Sequence, residues 1–239
     1  MGVVSALPAE ARCIGTDPRV LSRAAGIGHE AARATCDSLL AAGVRALVSW
    51  GCAAGLDRSL TAGTLVLPDL VVPLTPRGER AGDLRPTESW AATLARRLDG
   101  NMRVVRGAIA CPHQVLGTSA AKQALAAAHP GALAADMESA AVGRAGAAAG
   151  VPWVVVRAIA DTADVRVPLS FGFAIDHSGR LRPLRFAAGL VRHPSDLAAI
   201  PALARGFRLA LRALRDVARS AGPTLLAPLD DGRDAGGFA

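Results

Sequence analysis

Asp161 closes the most hydrophobic run of the chain, residues 151–160. A carboxyl at the end of a buried strand has its pKa raised by desolvation, so it can stay protonated and serve as an acid. Two further carboxylates occupy comparable places. Glu138, in Asp136-Met137-Glu138-Ser139, stands where a short strand at 132–135 meets a helix, and Glu10 lies shortly after the first strand, 3–7. Three carboxylates at the ends of three strands suit cleavage of an N-glycosidic bond. One protonates the leaving base, one steadies the cationic sugar and one activates the nucleophile, much as paired carboxylates act in glycoside hydrolysis. Plainer roles also fit: Asp136 as an N-cap, Glu138 as an acid in a first helical turn, Asp161 as a cap for the next segment.

Two small-residue loops come after extended segments. Gly26-Ile27-Gly28 opens a helix, so its amides can face an anion or a hydroxyl, and a simple tight turn fits equally well. The glycines suggest a dinucleotide fingerprint, which needs an acid at the end of the next strand. That strand ends Ser49-Trp50-Gly51-Cys52, so a nicotinamide or flavin cofactor is not expected. In Gly51-Cys52-Ala53-Ala54-Gly55-Leu56, the small side chains of Gly51, Cys52 and Ala53 let a ligand approach the backbone. No His–Asn or His–Asp pairing is visible to activate Cys52, which reads as a small buried cysteine rather than a nucleophile.

The elements that must position these residues alternate along the chain. Strands are expected at 3–7, at 46–50 with Gly51 as its stop, at 64–72 with Pro68 marking an edge or bulge, and at 103–110, 132–135 and 151–159. Helices are expected at 30–42, 87–98, 119–128 and 139–149. Continuous apolar strands interleaved with helices predict an α/β fold, its mixed and largely parallel sheet flanked on both faces, with ligands at the carboxyl ends of the strands. Further on, Ile200, Leu203, Phe207, Leu211, Leu214 and Val217 form an apolar stripe, while Arg205, Arg208, Arg212, Arg215 and Arg219 fall mainly on other faces. This predicts an amphipathic helix over about 196–220. One domain over 1–222 and a disordered tail over 223–239 complete the expected layout.

Composition narrows the partners. The chain has 239 residues, of which 51% are hydrophobic, 3% are aromatic and none is tyrosine. So few aromatic platforms argue against single-stranded nucleic acid as a partner. The net charge of +7 is carried almost wholly by arginine and favours anionic partners such as phosphate or an acidic membrane surface. The four cysteines form no C-x-x-C, so neither a zinc site nor a disulfide framework is expected. With no basic n-region at the N-terminus and no apolar run long enough to span a bilayer, a cytoplasmic setting is expected.

Taken in order, Leu7-Pro8-Ala9-Glu10, Gly26-Ile27-Gly28, Gly51-Cys52-Ala53-Ala54-Gly55-Leu56, Asp136-Met137-Glu138-Ser139-Ala140-Ala141 and Val156-Arg157-Ala158-Ile159-Ala160-Asp161 resemble the purine nucleoside phosphorylase/methylthioadenosine nucleosidase superfamily over roughly residues 2–165. The resemblance implies a three-layer fold with its sheet curled toward a barrel, a homo-oligomeric habit, and neither metal nor cofactor, with phosphate open as a co-substrate. By position, Asp161 resembles the acid that protonates the purine at N7. Met137 and Glu138 resemble the pair that holds the ribose, Glu10 the acid that activates water, and Gly28, Gly51, Cys52 and Ala53 the surrounding substrate contacts. Val115 stands where an aromatic often stacks on the base. Residues 173–180 and 190–194, with the arginine-lined helix, resemble the hopanoid-associated branch. That branch acts on adenosylhopane, a lipid-linked nucleoside, which implies contact with the inner face of the membrane. Small nucleosides, namely methylthioadenosine, adenosylhomocysteine and futalosine-type compounds, are the alternative substrates. Glu10 and the lack of an arginine at the strand end 49–50 favour water as the nucleophile, while the branch favours phosphate.

Overall fold

The structure is a computed structural model that describes residues 1–167, 192 and 194–228. Its strands are β1 (Gly2–Ser5), β2 (Leu21–Ala24), β3 (Leu47–Gly55), β4 (Leu65–Val66), β5 (Leu70–Pro73), β6 (Val104–Val105), β7 (Ala108–Cys111), β8 (Ala132–Ala135) and β9 (Trp153–Asp161). Its helices are α1 (Pro8–Ala11), α2 (His29–Ala41), α3 (Glu88–Leu98), α4 (Ser119–Ala128), α5 (Ser139–Ala149) and α6 (Ile200–Ala221).

All strands join one mixed sheet, with the path β5-β7-β8-β3-β9-β4-β6 and with β1 and β2 branching from β3. The two long strands, β3 and β9, run parallel along their length, so β9 occupies one edge of β3. On the other edge β1 pairs with Gly2↔Leu47 through Val4↔Ser49, and β8 pairs only with Ala54 and Gly55. Between these two partners the sheet forks, and residues 50–53 of β3 face the opening. Antiparallel pairings of β8 with β3 and of β4 with β9 make the sheet mixed.

The side chains of β9 divide between the two faces, as strand alternation requires. Val154, Val156 and Ala158 meet α3 and α6 through Trp90, Leu94, Leu98, Ala210, Leu214 and Val217. Trp153, Val155 and Ile159 meet α2 and α5 through Ala32, Cys36, Leu39, Ala140 and Val142. The result is three layers, helix–sheet–helix, as the alternation of elements in the sequence predicts.

Several expected bounds change. Gly51 does not stop β3, which continues to Gly55. The single strands expected at 64–72 and 103–110 are each two: Pro68, lacking an N–H, falls in the break between β4 and β5, and Gly107 in that between β6 and β7. Residues 223–228 are not a loose tail. Leu225 is fully buried and its carbonyl accepts the indole N–H of Trp90 at 2.7 Å, so the domain continues past 222. The rest of the expected tail, 229–239, lies outside the described residues, as do 173–180 and most of 190–194. The later part of the α6 stripe, Phe207, Leu211, Leu214 and Val217, lies on the core, and the arginines of the helix are exposed. No helix among the described residues is long and apolar enough to cross a membrane.

Candidate active site

The sheet fork collects most of the predicted carboxylates. Glu10 sits on α1, a four-residue helix begun by Pro8 and too short to show periodicity in sequence. Its carboxylate accepts the N–H of Cys52 at 2.8 Å and that of Leu7 at 2.8 Å. The first of these is an N–H of β3 inside the fork, where none of the described strands lies opposite to accept it. The indole of Trp50 donates to the carbonyl of Glu10 at 3.0 Å, fixing the helix against the sheet. A Cβ at Gly51 would come within 2.7 Å of Nη1 of Arg157 and 2.9 Å of Cδ of Glu10. Only glycine lets these two groups meet across β3.

Arg157 is the centre of the cluster, although the sequence shows it merely as a charge inside an apolar strand. It is fully buried. Its guanidinium ion-pairs with Asp136, reaches Oε2 of Glu138 at 3.3 Å, and donates to the Ser49 hydroxyl at 2.8 Å and the Cys52 carbonyl at 3.3 Å. Asp136 also accepts the Ser139 hydroxyl and the Cys111 thiol, the latter at 3.0 Å, and accepts the Ser139 N–H at 3.3 Å as a cap would. Asp136 is thus an internal strut that holds Arg157. Glu138 occupies the N-cap position of α5, not its first turn, and its Oε1 accepts the Gly28 N–H at 2.9 Å. The methyl of Met137 lies on the side of Gly28 that a side chain would fill.

Three carboxylates therefore surround one guanidinium. Burial pushes Glu138 up to about 7, opposed by Arg157 and reinforced by the charges of Asp136 and Glu10. Burial raises Glu10 as well, against the pull of Arg157 and of the Cys52 and Leu7 N–H groups. The Cys52 thiol stands well above its ordinary range, through burial and the neighbouring Glu10, and is unsuited to nucleophilic work.

Asp161 ends β9 just past a bulge. The pairing steps from Ala53↔Ile159 to Ala54↔Asp161, so Ala160 is the extra residue, and such irregularities re-aim side chains beside active sites. Burial pushes Asp161 up to about 6, against the ammonium of Lys122, which stands 2.5 Å from Oδ2. Sequence reasoning missed Lys122 altogether. Ala53 is buried in the core on the α2/α5 side, so only its backbone can serve a ligand. Val115 is 53% exposed and is not drawn into the buried cluster. The ring of His113, two residues earlier, lies against His29 with centroids 4.3 Å apart. No group of three or more potential metal ligands occurs among the described residues.

The three-layer α/β fold thus gathers buried carboxyl groups around a fork in its sheet, an arrangement chemically suited to proton transfer and charge stabilisation. Residues 13–182 match the model of the Phosphorylase superfamily, and the protein belongs to that superfamily. Similar folds occur in futalosine hydrolase of Helicobacter pylori, at 20% identity over 91% of this chain and 96% of that one with a TM-score of 0.65. A 5'-methylthioadenosine/S-adenosylhomocysteine nucleosidase from Neisseria meningitidis, in complex with methylthio-immucillin-A, is 14% identical over 92% and 96% with a TM-score of 0.69. The corresponding nucleosidase from Colwellia psychrerythraea, in complex with adenine, is 20% identical over 90% and 94% with a TM-score of 0.60. Comparison with curated proteins gave no match.

Proposed function

We propose that the protein hydrolyses the N-glycosidic bond of a purine nucleoside, with Asp161 as the general acid. The observation that carries this reading is the pairing of two unlike carboxylate environments. Asp161, pushed up to about 6 beside the ammonium of Lys122, is placed to give up a proton, while Glu10, Glu138 and Asp136 set three carboxyl groups around the single guanidinium of Arg157. The first environment suits protonation of the departing purine at N7, and the second suits the oxocarbenium-like sugar it leaves behind. Glu138, beside Met137 and Gly28, is assigned to the ribose hydroxyls, and Glu10 to removal of a proton from the attacking water.

Water is favoured over phosphate on electrostatic grounds. The sequence shows no arginine at the end of β3, yet Arg157 of β9 brings a guanidinium to the same place. That charge is already engaged by Asp136 and Glu138, so it is not free to hold a phosphate anion.

For the substrate, the motifs of the C-terminal region support adenosylhopane. The folds of the futalosine and methylthioadenosine enzymes support a small nucleoside as the second reading. A lipid-borne substrate calls for contact at a membrane surface. With most of the apolar stripe of α6, Phe207 to Val217, engaged in the core, such contact would rest on the exposed arginines and weaken with salt.

One assay tests these points together: release of adenine from methylthioadenosine, and from adenosylhopane in anionic liposomes at low and high salt, each with and without phosphate. Phosphate-independent release is expected, with the lipid nucleoside turned over faster and more so at low salt. Strict phosphate dependence would refute hydrolysis. Turnover of methylthioadenosine alone would refute the lipid substrate, and no release from either would refute the reaction.

A further inference from the structure

Lys122 is fully buried, which is rare for lysine without a specific partner. It is the fourth residue of α4, a helix capped by the Thr118 side chain accepting the Ala121 N–H at 3.0 Å. A cation in the first turn opposes the helix dipole, so helix stability does not account for its presence. Its recorded polar partners all lie beyond the helix. Nζ donates to the carbonyls of Thr162 and Val165, each at 2.8 Å, and stands 2.5 Å from Oδ2 of Asp161. Oδ2 is sealed from solvent, while the Asp161 side chain as a whole keeps 11% exposure. Oδ1 is therefore the oxygen able to meet a ligand.

We propose that Lys122 is a positioning residue for the acid step, fixing Asp161 through Oδ2 and stabilising the carboxylate left once its proton has gone to the base. This rests on Asp161 being the acid. In that step the C1′–N bond breaks, its electron pair goes to the base, and the Oδ1 proton of Asp161 moves to the purine nitrogen. The neutral acid beside an ammonium becomes a buried ion pair, so the ammonium favours the transfer and Asp161 is a stronger acid than burial alone would make it. Among the described residues, the other groups around Asp161 do not replace this charge. The Cys52 thiol on β3 is held neutral and is itself raised by Asp161. On α6, Arg205 and Arg208 flank Gly206 but are exposed, and Arg58 pairs with Asp164 at the surface.

The test is a pH titration of Asp161 followed by the 13C signal of its labelled carboxyl, assigned by its loss in Asp161→Asn, together with the pH–rate profile for adenine release. Asp161 must be protonated to act, so the rate falls as pH rises through its pKa. In Lys122→Met both the titration and the falling limb are expected to move to higher pH by about one unit or more, the usual effect of losing an adjacent opposite charge. The rate on the plateau is expected to fall about tenfold or more. Lys122→Gln keeps donors for the Thr162 and Val165 carbonyls while removing the charge, and gives the same readout should Lys122→Met fail to fold. A slower enzyme with the titration and limb unmoved would mean that Lys122 only ties α4 to the end of β9, and would overturn the proposal. That outcome is distinct from failure of the underlying reading, which full activity in Asp161→Asn would reveal.

Discussion

At the scale of single residues, Glu10 and Asp161 make opposite demands on the proton. Glu10 must be ionised to take a proton from water, and it is held by two N–H donors and by Arg157 across Gly51. Glu10→Gln keeps an oxygen for one of those donors but removes the base. Turnover is expected to drop about a hundredfold or more, with binding of a substrate analogue nearly unchanged. Calorimetric titration alongside the rate assay checks both, and turnover near the original level would remove Glu10 from the mechanism. The carboxylates were legible in the sequence because each comes just after a strand in a chain whose ligands belong at strand ends. Arg157 had a legible signal that apolar counting hid. A charge within a strand buried on both faces costs too much without built partners, so it marks a polar cluster. Lys122 had no such signal beyond its place in a first helical turn, because its partners Asp161, Thr162 and Val165 are all far away along the chain.

At the scale of elements, sequence reasoning fared best where local chemistry ends an element. Helices α4 and α5 and strand β8 have their expected bounds: Thr118 caps α4, and Gly150, with φ of 64°, closes α5 in the left-handed region. It fared worst where tertiary pairing decides. The run past Gly51 remains strand because β9 lies beside it and β8 takes its last two residues. The Asp161 bulge is likewise a product of packing. Helix α6 crosses β9 with Gly206 directly against the Ala160 carbonyl, leaving no room there for a Cβ. Gly206→Ala must push the helix off the bulge or shift the bulge itself. The expected cost is about 1–3 kcal/mol in urea denaturation, as for overpacking elsewhere, together with a fall in turnover because Asp161 is the next residue after Ala160. Unchanged stability and turnover would show that α6 does not buttress the acid.

At the scale of the whole molecule, the site works against the stability of the fold. Burial raises Glu10, raises Glu138 to about 7 and raises Asp161 to about 6. Each carboxyl keeps its proton in the folded chain at pH values where the unfolded chain has released it. The folded state then binds more protons, and stability falls as pH rises. For Asp161 the loss runs from its ordinary 3.8 to about 6, and for Glu138 from 4.5 to about 7, above which it is complete. The share of Glu138 amounts to at most about 3 kcal/mol, since a tenfold change in proton affinity is worth about 1.4 kcal/mol. His29 and the amino terminus act in the opposite sense, since burial lowers both. Asp17, held down to about 2 by Arg19, changes only in stronger acid and lies outside this window. A single variant isolates the carboxylate contribution from these other groups. Glu138→Gln removes one titrating group from the cluster, so its stability should fall less steeply than that of the unmodified protein. Urea midpoints for both proteins at pH 5 and pH 8 measure the two slopes. Equal slopes would mean that the buried cluster holds its charges at no cost to the fold.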